Sequence, residues 1–94
     1  MKMEALSAKV RDLVARNIPS VHVVRVSSDP IVDSTGDDSL GIRVVLDARP
    51  ADQSSKYATV VDQLRTWLAE QEDQRFPYID FITEQEEQEL QQAE

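Results

Sequence analysis

The side chains that could carry chemistry in this chain are mainly carboxylates. The sequence holds 18 Asp and Glu residues, one histidine, His22, and no cysteine. Without cysteine, thiolate nucleophiles, disulfides and cysteine-bound metals are excluded, and a nucleophile and base would have to come from carboxylates or lysine. We therefore expect His22 to lie at the edge of the core, at the start of a strand, with no catalytic role.

Four aspartates, Asp29, Asp33, Asp37 and Asp38, are crowded into one segment of the chain, residues 29–39. A calcium loop of the EF-hand type places acidic residues at alternate positions before a glycine, and this segment lacks that spacing. Its Asp, Ser, Pro and Gly residues are turn formers, so the segment predicts a long, solvated, mobile loop. We expect no metal site and no cofactor.

Three short apolar segments would position these residues. In 41–47, GIRVVLD, apolar residues at every second position predict a strand with one fully apolar face. Residues 21–28, VHVVRVSS, are rich in β-branched side chains and predict a second strand directly after Pro19. Residues 78–83, YIDFIT, alternate in the same way and predict a third strand.

Two amphipathic helices are predicted to cover the sheet. Apolar residues recur at helical spacing over 6–18, and Pro19 ends that helix. A second helix of about 20 residues begins at a cap on Ser54 or Ser55. Trp67 lies in its apolar stripe, which favours a core position over a stacking platform for a ligand.

This element order predicts an α+β fold, αββαβ, with a three-stranded sheet and two helices on one face. We expect a single domain over residues 1–83 and an acidic helical or frayed tail over 84–94, in which Thr83 and Glu86 form a capping box. The predicted core side chains of the sheet are His22, Val24, Val26, Ile42, Val44, Leu46, Ile79 and Phe81.

The other face of the sheet is predicted to be open and to bind a partner, because contiguous apolar patches on proteins usually mark contacts. The side chains predicted there are Val21, Val23, Arg25, Arg43, Val45, Tyr78, Asp80 and Ile82. A different strand register, which would bury several of these residues, remains an open alternative.

The order and spacing of these elements resemble a minimal nucleotidyltransferase domain. That family carries Gly-Ser after its first strand, Asp-x-Asp on the second and a third acidic residue on the third, and these carboxylates bind magnesium ions that bridge nucleotide phosphates. In this chain Ser27-Ser28 stands at the Gly-Ser position, Gly-Ile-Arg at 41–43 stands at Asp-x-Asp, and Asp80 stands at the third carboxylate.

The resemblance implies a degenerate, non-catalytic member of the family. Two of the three metal ligands are missing, and Arg43 stands where a cation would bind, so we expect Arg43 to pair with Asp80. The resemblance also implies an antitoxin-like or regulatory partner protein. The alternative is an atypical magnesium-dependent nucleotidyltransferase-like enzyme, with a site made of Ser27, Ser28, Asp37, Asp38 and Asp80.

Charge and hydropathy restrict the kinds of molecule that this chain is expected to bind. The formal net charge of −8 disfavours nucleic acid, because a phosphate backbone would be repelled. No apolar run approaches the roughly 20 residues of a membrane-spanning helix, so we expect no membrane partner and a cytoplasmic protein. The expected partner is another protein or a second copy in a homodimer. The acidic tail either solubilises the chain, which is favoured, or engages a basic partner.

Overall fold

The computed structural model describes residues 3–49, 54–73 and 75–92. The elements are α1 (Met3–Asn17), β1 (Val23–Val32), β2 (Asp38–Leu46), α2 (Ser54–Glu70), β3 (Phe76–Thr83) and α3 (Glu84–Gln92). The three strands form one sheet in the order β1-β2-β3, with β1 antiparallel and β3 parallel to β2. The predicted α+β fold, including the acidic C-terminal helix, is confirmed. The side chains of the predicted serine cap of α2, and residues 93 and 94 of the tail, lie outside the described part of the chain.

The apolar sides of α1 and α2 pack on one face of the sheet and form the core with β2. The buried core residues are Leu6, Val10, Leu13, Val14, Ile18, Val21, Leu40, Ile42, Val44, Leu46, Val60, Leu64 and Leu68, with Val26, Ile79, Phe81 and Trp67 packed partly buried against them. Tyr57 of α2 stacks on Phe81, with ring centroids 4.3 Å apart. Because fully burying one such side chain stabilises the fold by about 1.5–3 kcal/mol, this layer is the main source of stability.

A β-bulge at Val24 shifts the register of β1. Val23 is opposite Leu46 and Arg25 is opposite Val45, so Val24 is an extra residue in β1. Residues on the two sides of the bulge therefore follow different alternations. Arg25 and Val26 keep the predicted facing, whereas the residues before Val24 exchange faces.

The bulge overturns the predicted facing of the residues that precede it. Val21 is buried in the core and Val23 packs against it, although both were predicted on the open face. The sequence predicts His22 in the core, but it is exposed, and its backbone N–H donates to Asp47 Oδ1 at 2.9 Å. Arg11 of α1 stabilises the bulged segment, since its guanidinium donates to the Val23 carbonyl at 2.9 Å.

The hairpin between β1 and β2 is tighter than the sequence predicts. Both strands continue into the segment 29–39 and leave a short turn, so the prediction of a long loop is wrong. The Asp33 carboxylate accepts hydrogen bonds from the N–H groups of Thr35 and Asp37 at 2.9 and 3.0 Å. Gly36 has a φ of 88°, a conformation that glycine adopts without strain. These local bonds close the turn.

Candidate interaction surface on the sheet

The face of the sheet turned away from α1 and α2 is called the outer face. Four rows of opposed residues cross it: Ile31, Ser39 and Phe76; Asp29, Gly41 and Tyr78; Ser27, Arg43 and Asp80; Arg25, Val45 and Ile82. The last row is called the covered row and the first three are called the open rows. The two parts differ in what lies above them.

The covered row lies under α3. Val45 and Ile82 are only 1% and 7% exposed, although they point away from the main core. Helix α3 contacts both β2 and β3 here, and Glu87 of α3 forms an ion pair with Arg25 of β1. The prediction that Val45 and Ile82 lie on an open surface is therefore wrong, because the acidic tail folds back over them.

The start of α3 is fixed by the capping box that the sequence predicts. The Glu86 N–H donates to Thr83 Oγ1, and the Thr83 N–H donates to Glu86 Oε1, both at 3.2 Å. Glu86 also forms an ion pair with Arg49, which follows β2. The Thr83 N–H and, to a smaller extent, the Arg49 charge lower the pKa of Glu86 below its ordinary value of 4.5.

The open rows expose three large apolar side chains. Ile31, Phe76 and Tyr78 are 38%, 40% and 45% exposed. The Phe76 and Tyr78 rings are 4.9 Å apart between centroids, and the Arg65 guanidinium lies 4.9 Å from the Phe76 centroid. Gly41 allows the Ile31 side chain to pack closely over β2, because a Cβ at position 41 would lie only 3.3 Å from Cγ2 of Ile31. The result is an apolar patch with an aromatic pair at one side.

Arg43 and Asp80 pair across β2 and β3, as the sequence predicts. Arg43 Nε lies 3.7 Å from Asp80 Oδ2, and both side chains are about half exposed, so the pair stabilises the fold by at most about 1 kcal/mol. Together with Ser27, Asp29 and Tyr78 they line an open depression of about 330 Å³. Charged groups therefore border the apolar patch on this side.

The hairpin turn contacts the patch at its other end. The Tyr78 hydroxyl donates to Asp33 Oδ2 at 3.4 Å. The hydrogen bond from the Thr35 hydroxyl is the largest cause that lowers the pKa of Asp33. Desolvation, followed by the Asp33 charge, raises the pKa of Tyr78. The Asp33 carboxylate therefore connects the hairpin turn to Tyr78 of the aromatic pair.

The residues of the magnesium-enzyme alternative are placed apart. Ser27 and Asp80 lie in one open row, on either side of Arg43, whereas Ser28 is opposite Ile42 in a row that faces the helices. Asp37 and Asp38 lie at the hairpin, and Asp38 precedes Arg43 by five residues of β2, about 17 Å along the strand. Within the described ranges, no group of three or more His, Asp or Glu side chains could hold a metal ion.

The sequence reading missed two exposed residues of the surface, Ile31 and Phe76. Phe76 shares the alternation of Tyr78 and Asp80, so extending the third strand by two residues would have found it. Ile31 shares the alternation of Ser27 and Asp29, but the turn-forming residues around it predict a loop. The missed signal was in both cases a strand that continues past its turn-forming residues.

Comparisons with known proteins identify no relative: no protein-family profile matches the chain, and neither a curated protein nor a solved structure is significantly similar to it. The nucleotidyltransferase resemblance thus stays a prediction. Among the helices of the described ranges, none combines the length and apolar character that crossing a bilayer requires.

Proposed function

We propose that this chain is a small, non-catalytic interaction protein that binds another protein through the open rows of the outer face. The observation that carries the proposal is the joint exposure of Ile31, Phe76 and Tyr78 beside the Arg43–Asp80 pair. Contiguous apolar patches rimmed by polar groups mark contacts, and aromatic and arginine side chains supply much of the binding energy at protein interfaces.

The sheet edges are less suited to a partner than the face. Both edge strands contain a proline, Pro30 in β1 and Pro77 in β3, which lacks the N–H that an added strand would need. At the start of β1, Arg11 already donates to the carbonyls of Val23 and Val24. These features support docking on the face over extension of the sheet.

An antitoxin-like or regulatory role in the cytoplasm is the form of this function that we favour. Support comes from the element order of a degenerate nucleotidyltransferase-like domain and from Arg43, which stands where such a domain would need a metal-binding carboxylate. A homodimer through the same patch is the second form. It would bring together two chains that each carry a net charge of −8, which opposes self-association.

Affinity capture with matched variants tests the proposal. The bait is the full chain, compared with Phe76→Ala/Tyr78→Ala and with Val32→Ala, which removes an exposed apolar side chain from the opposite face. A protein retained by the wild type and Val32→Ala, and lost with the double variant, supports binding at the open rows. Equal retention by all three chains would contradict it. Sedimentation of the chain alone separates homodimers from complexes with another protein.

The alternative enzyme draws its support from Ser27 and Asp80, which share a row beside the 330 Å³ depression. It requires saturable, magnesium-dependent binding of a nucleoside triphosphate, seen as amide NMR shifts at Ser27 and Asp80. Asp80→Ala should abolish these shifts. A flat titration with every nucleoside triphosphate would eliminate this alternative.

A further inference from the structure

Helix α3 is weakly attached to the sheet that it covers. None of its described residues is buried, and its one large apolar side chain, Leu90, is 51% exposed. A helix of nine residues is too short to be stable alone in water. Its presence on the outer face therefore depends on its capping box and its contacts with the sheet.

Among the described residues, two ion pairs attach α3 to the rest of the fold. Glu87 pairs with Arg25 of β1, and Glu86 pairs with Arg49 after β2. Both arginine side chains are about half exposed, so solvent and salt screen the attraction, less at Glu87, which is 14% exposed, than at Glu86, which is 38% exposed. A competing segment can therefore replace these ion pairs with only a small loss of free energy.

The surface beneath α3 is apolar at its centre and cationic at its borders. Val45 and Ile82 are neighbours in the parallel pairing of β2 and β3. Arg25 lies beside Val45 in the same row, and Arg49 follows the end of β2. A helical segment that presents carboxylates to both arginines and aliphatic groups to Val45 and Ile82 would complement this pattern; α3 itself supplies the carboxylates, through Glu86 and Glu87.

We propose that α3 is a displaceable cover, and that the covered row is a second docking surface for an acidic helical segment of a partner protein. This inference rests on the proposed function, because it extends the surface on which the partner binds. The incoming segment replaces α3, contacts Val45 and Ile82, and pairs with Arg25 and Arg49. All four rows then form one continuous interface.

A peptide added to test this proposal must compete with α3 for the covered row. A segment attached by a short linker acts at an effective concentration on the order of millimolar, so a free peptide must overcome that advantage. Weakening α3 without unfolding it removes the obstacle. Glu86→Gln/Glu87→Gln does so, because it deletes both ion pairs while glutamine still fits the capping box with Thr83.

The experiment titrates the full chain with a synthetic peptide of residues 83–92, TEQEEQELQQ, and follows the methyl NMR signals of Val45 and Ile82. We expect saturable shifts, with an apparent Kd about tenfold lower for the Glu86→Gln/Glu87→Gln chain than for the wild type, since each lost pair accounts for a factor of a few. A peptide with lysine at the positions of Glu86 and Glu87 is the matched control and should not bind.

Charge reversal on the sheet completes the test. Arg25→Glu/Arg49→Glu should abolish binding of the acidic peptide, and Arg25→Gln/Arg49→Gln gives the same information if the reversed variant does not fold. Unchanged Val45 and Ile82 methyl signals in the weakened variant would overturn the proposal. Concentration-dependent dimers without peptide would overturn its choice of occupant and assign the surface to α3 of a second copy. The capture experiment tests the open rows through Phe76 and Tyr78, whereas the peptide titration tests the covered row through Val45 and Ile82. Failure of one proposal can therefore be distinguished from failure of the other.

Discussion

The covered row and the open rows belong to the same face of the same sheet, yet they differ in environment. Ile82 and Val45 are shielded from water, whereas Tyr78, four residues before Ile82 and on the same face, is exposed. Strand alternation is identical in the two parts, so it cannot be the cause. The difference comes from the nine residues of α3, all of them acidic or polar except Leu90, that follow β3 directly and turn back over the sheet. Exposure of a sheet face thus depends on the segments that follow the strands.

The largest expected effect is a difference in the free energy of unfolding between two isoleucine truncations, one in the covered row and one in the open rows. Ile82→Ala should lower the free energy of unfolding by about 2 kcal/mol or more, because it removes a buried side chain and leaves a cavity. Ile31→Ala, the same change on the open rows, should cost less than about 1 kcal/mol. Urea denaturation measures both. Equal losses would show that α3 does not exclude water from the covered row.

Removing the capping box should have the next largest effect. Thr83→Ala deletes the hydroxyl that accepts the Glu86 N–H, and loss of such a cap costs about 1 kcal/mol of helix stability. The amides of α3 should then exchange faster with solvent, while those of β1 stay unchanged. Thr66→Ala, which removes a hydroxyl inside α2, is the control and should leave α3 unaffected.

As the pH falls, α3 should leave the covered row before the open rows change. The pKa of Glu86 is lowered in the folded protein, so its contribution is fully present above the ordinary value of 4.5 and is lost as the pH falls through the lowered pKa. The Ile82 methyl signal should report undocking of α3 below about pH 4.5. In Glu86→Gln this step should disappear; an unchanged pH profile in that variant would exclude Glu86 as the group responsible.

The smallest expected effect is on the open rows, at the Arg43–Asp80 pair. A double-mutant cycle with Arg43→Ala and Asp80→Ala should give a coupling energy below about 1 kcal/mol, which decreases further at high salt. Thermal or urea unfolding of the four chains provides the cycle. A coupling of several kcal/mol would indicate a desolvated pair and contradict the exposure of this row.

The sequence was sufficient for those features that depend on local spacing. Helical periodicity predicts α1 and α2, alternation predicts three strands, and Thr83 with Glu86 predicts the start of α3. The sequence was not sufficient where a contact between distant residues determines the register of a strand. The valines of residues 21–26 fit either register, and the bulge is stabilised by Arg11, which lies in another element.

The same limit applies to the candidate surface. Arg43 and Asp80 could be paired from the sequence because they occupy corresponding positions on two predicted strands. The docking of α3 could not be predicted, since it depends on Arg25, 62 residues before Glu87, and on Arg49, 37 residues before Glu86. No periodicity within the tail records those contacts, because none of its described residues is buried.

The mixed pairing of the sheet has a consequence for the order of assembly. Strands β1 and β2 meet through a short turn, so they can pair early and locally. Strand β3 is parallel to β2 and reaches it only after a crossover that contains α2, which makes this pairing slower. Helix α3 follows β3 without an intervening residue, so it can dock only after the ladder is complete. We therefore expect the covered row to be the last part of the molecule to form during folding, so that a nascent chain passes through a stage in which the whole outer face is accessible.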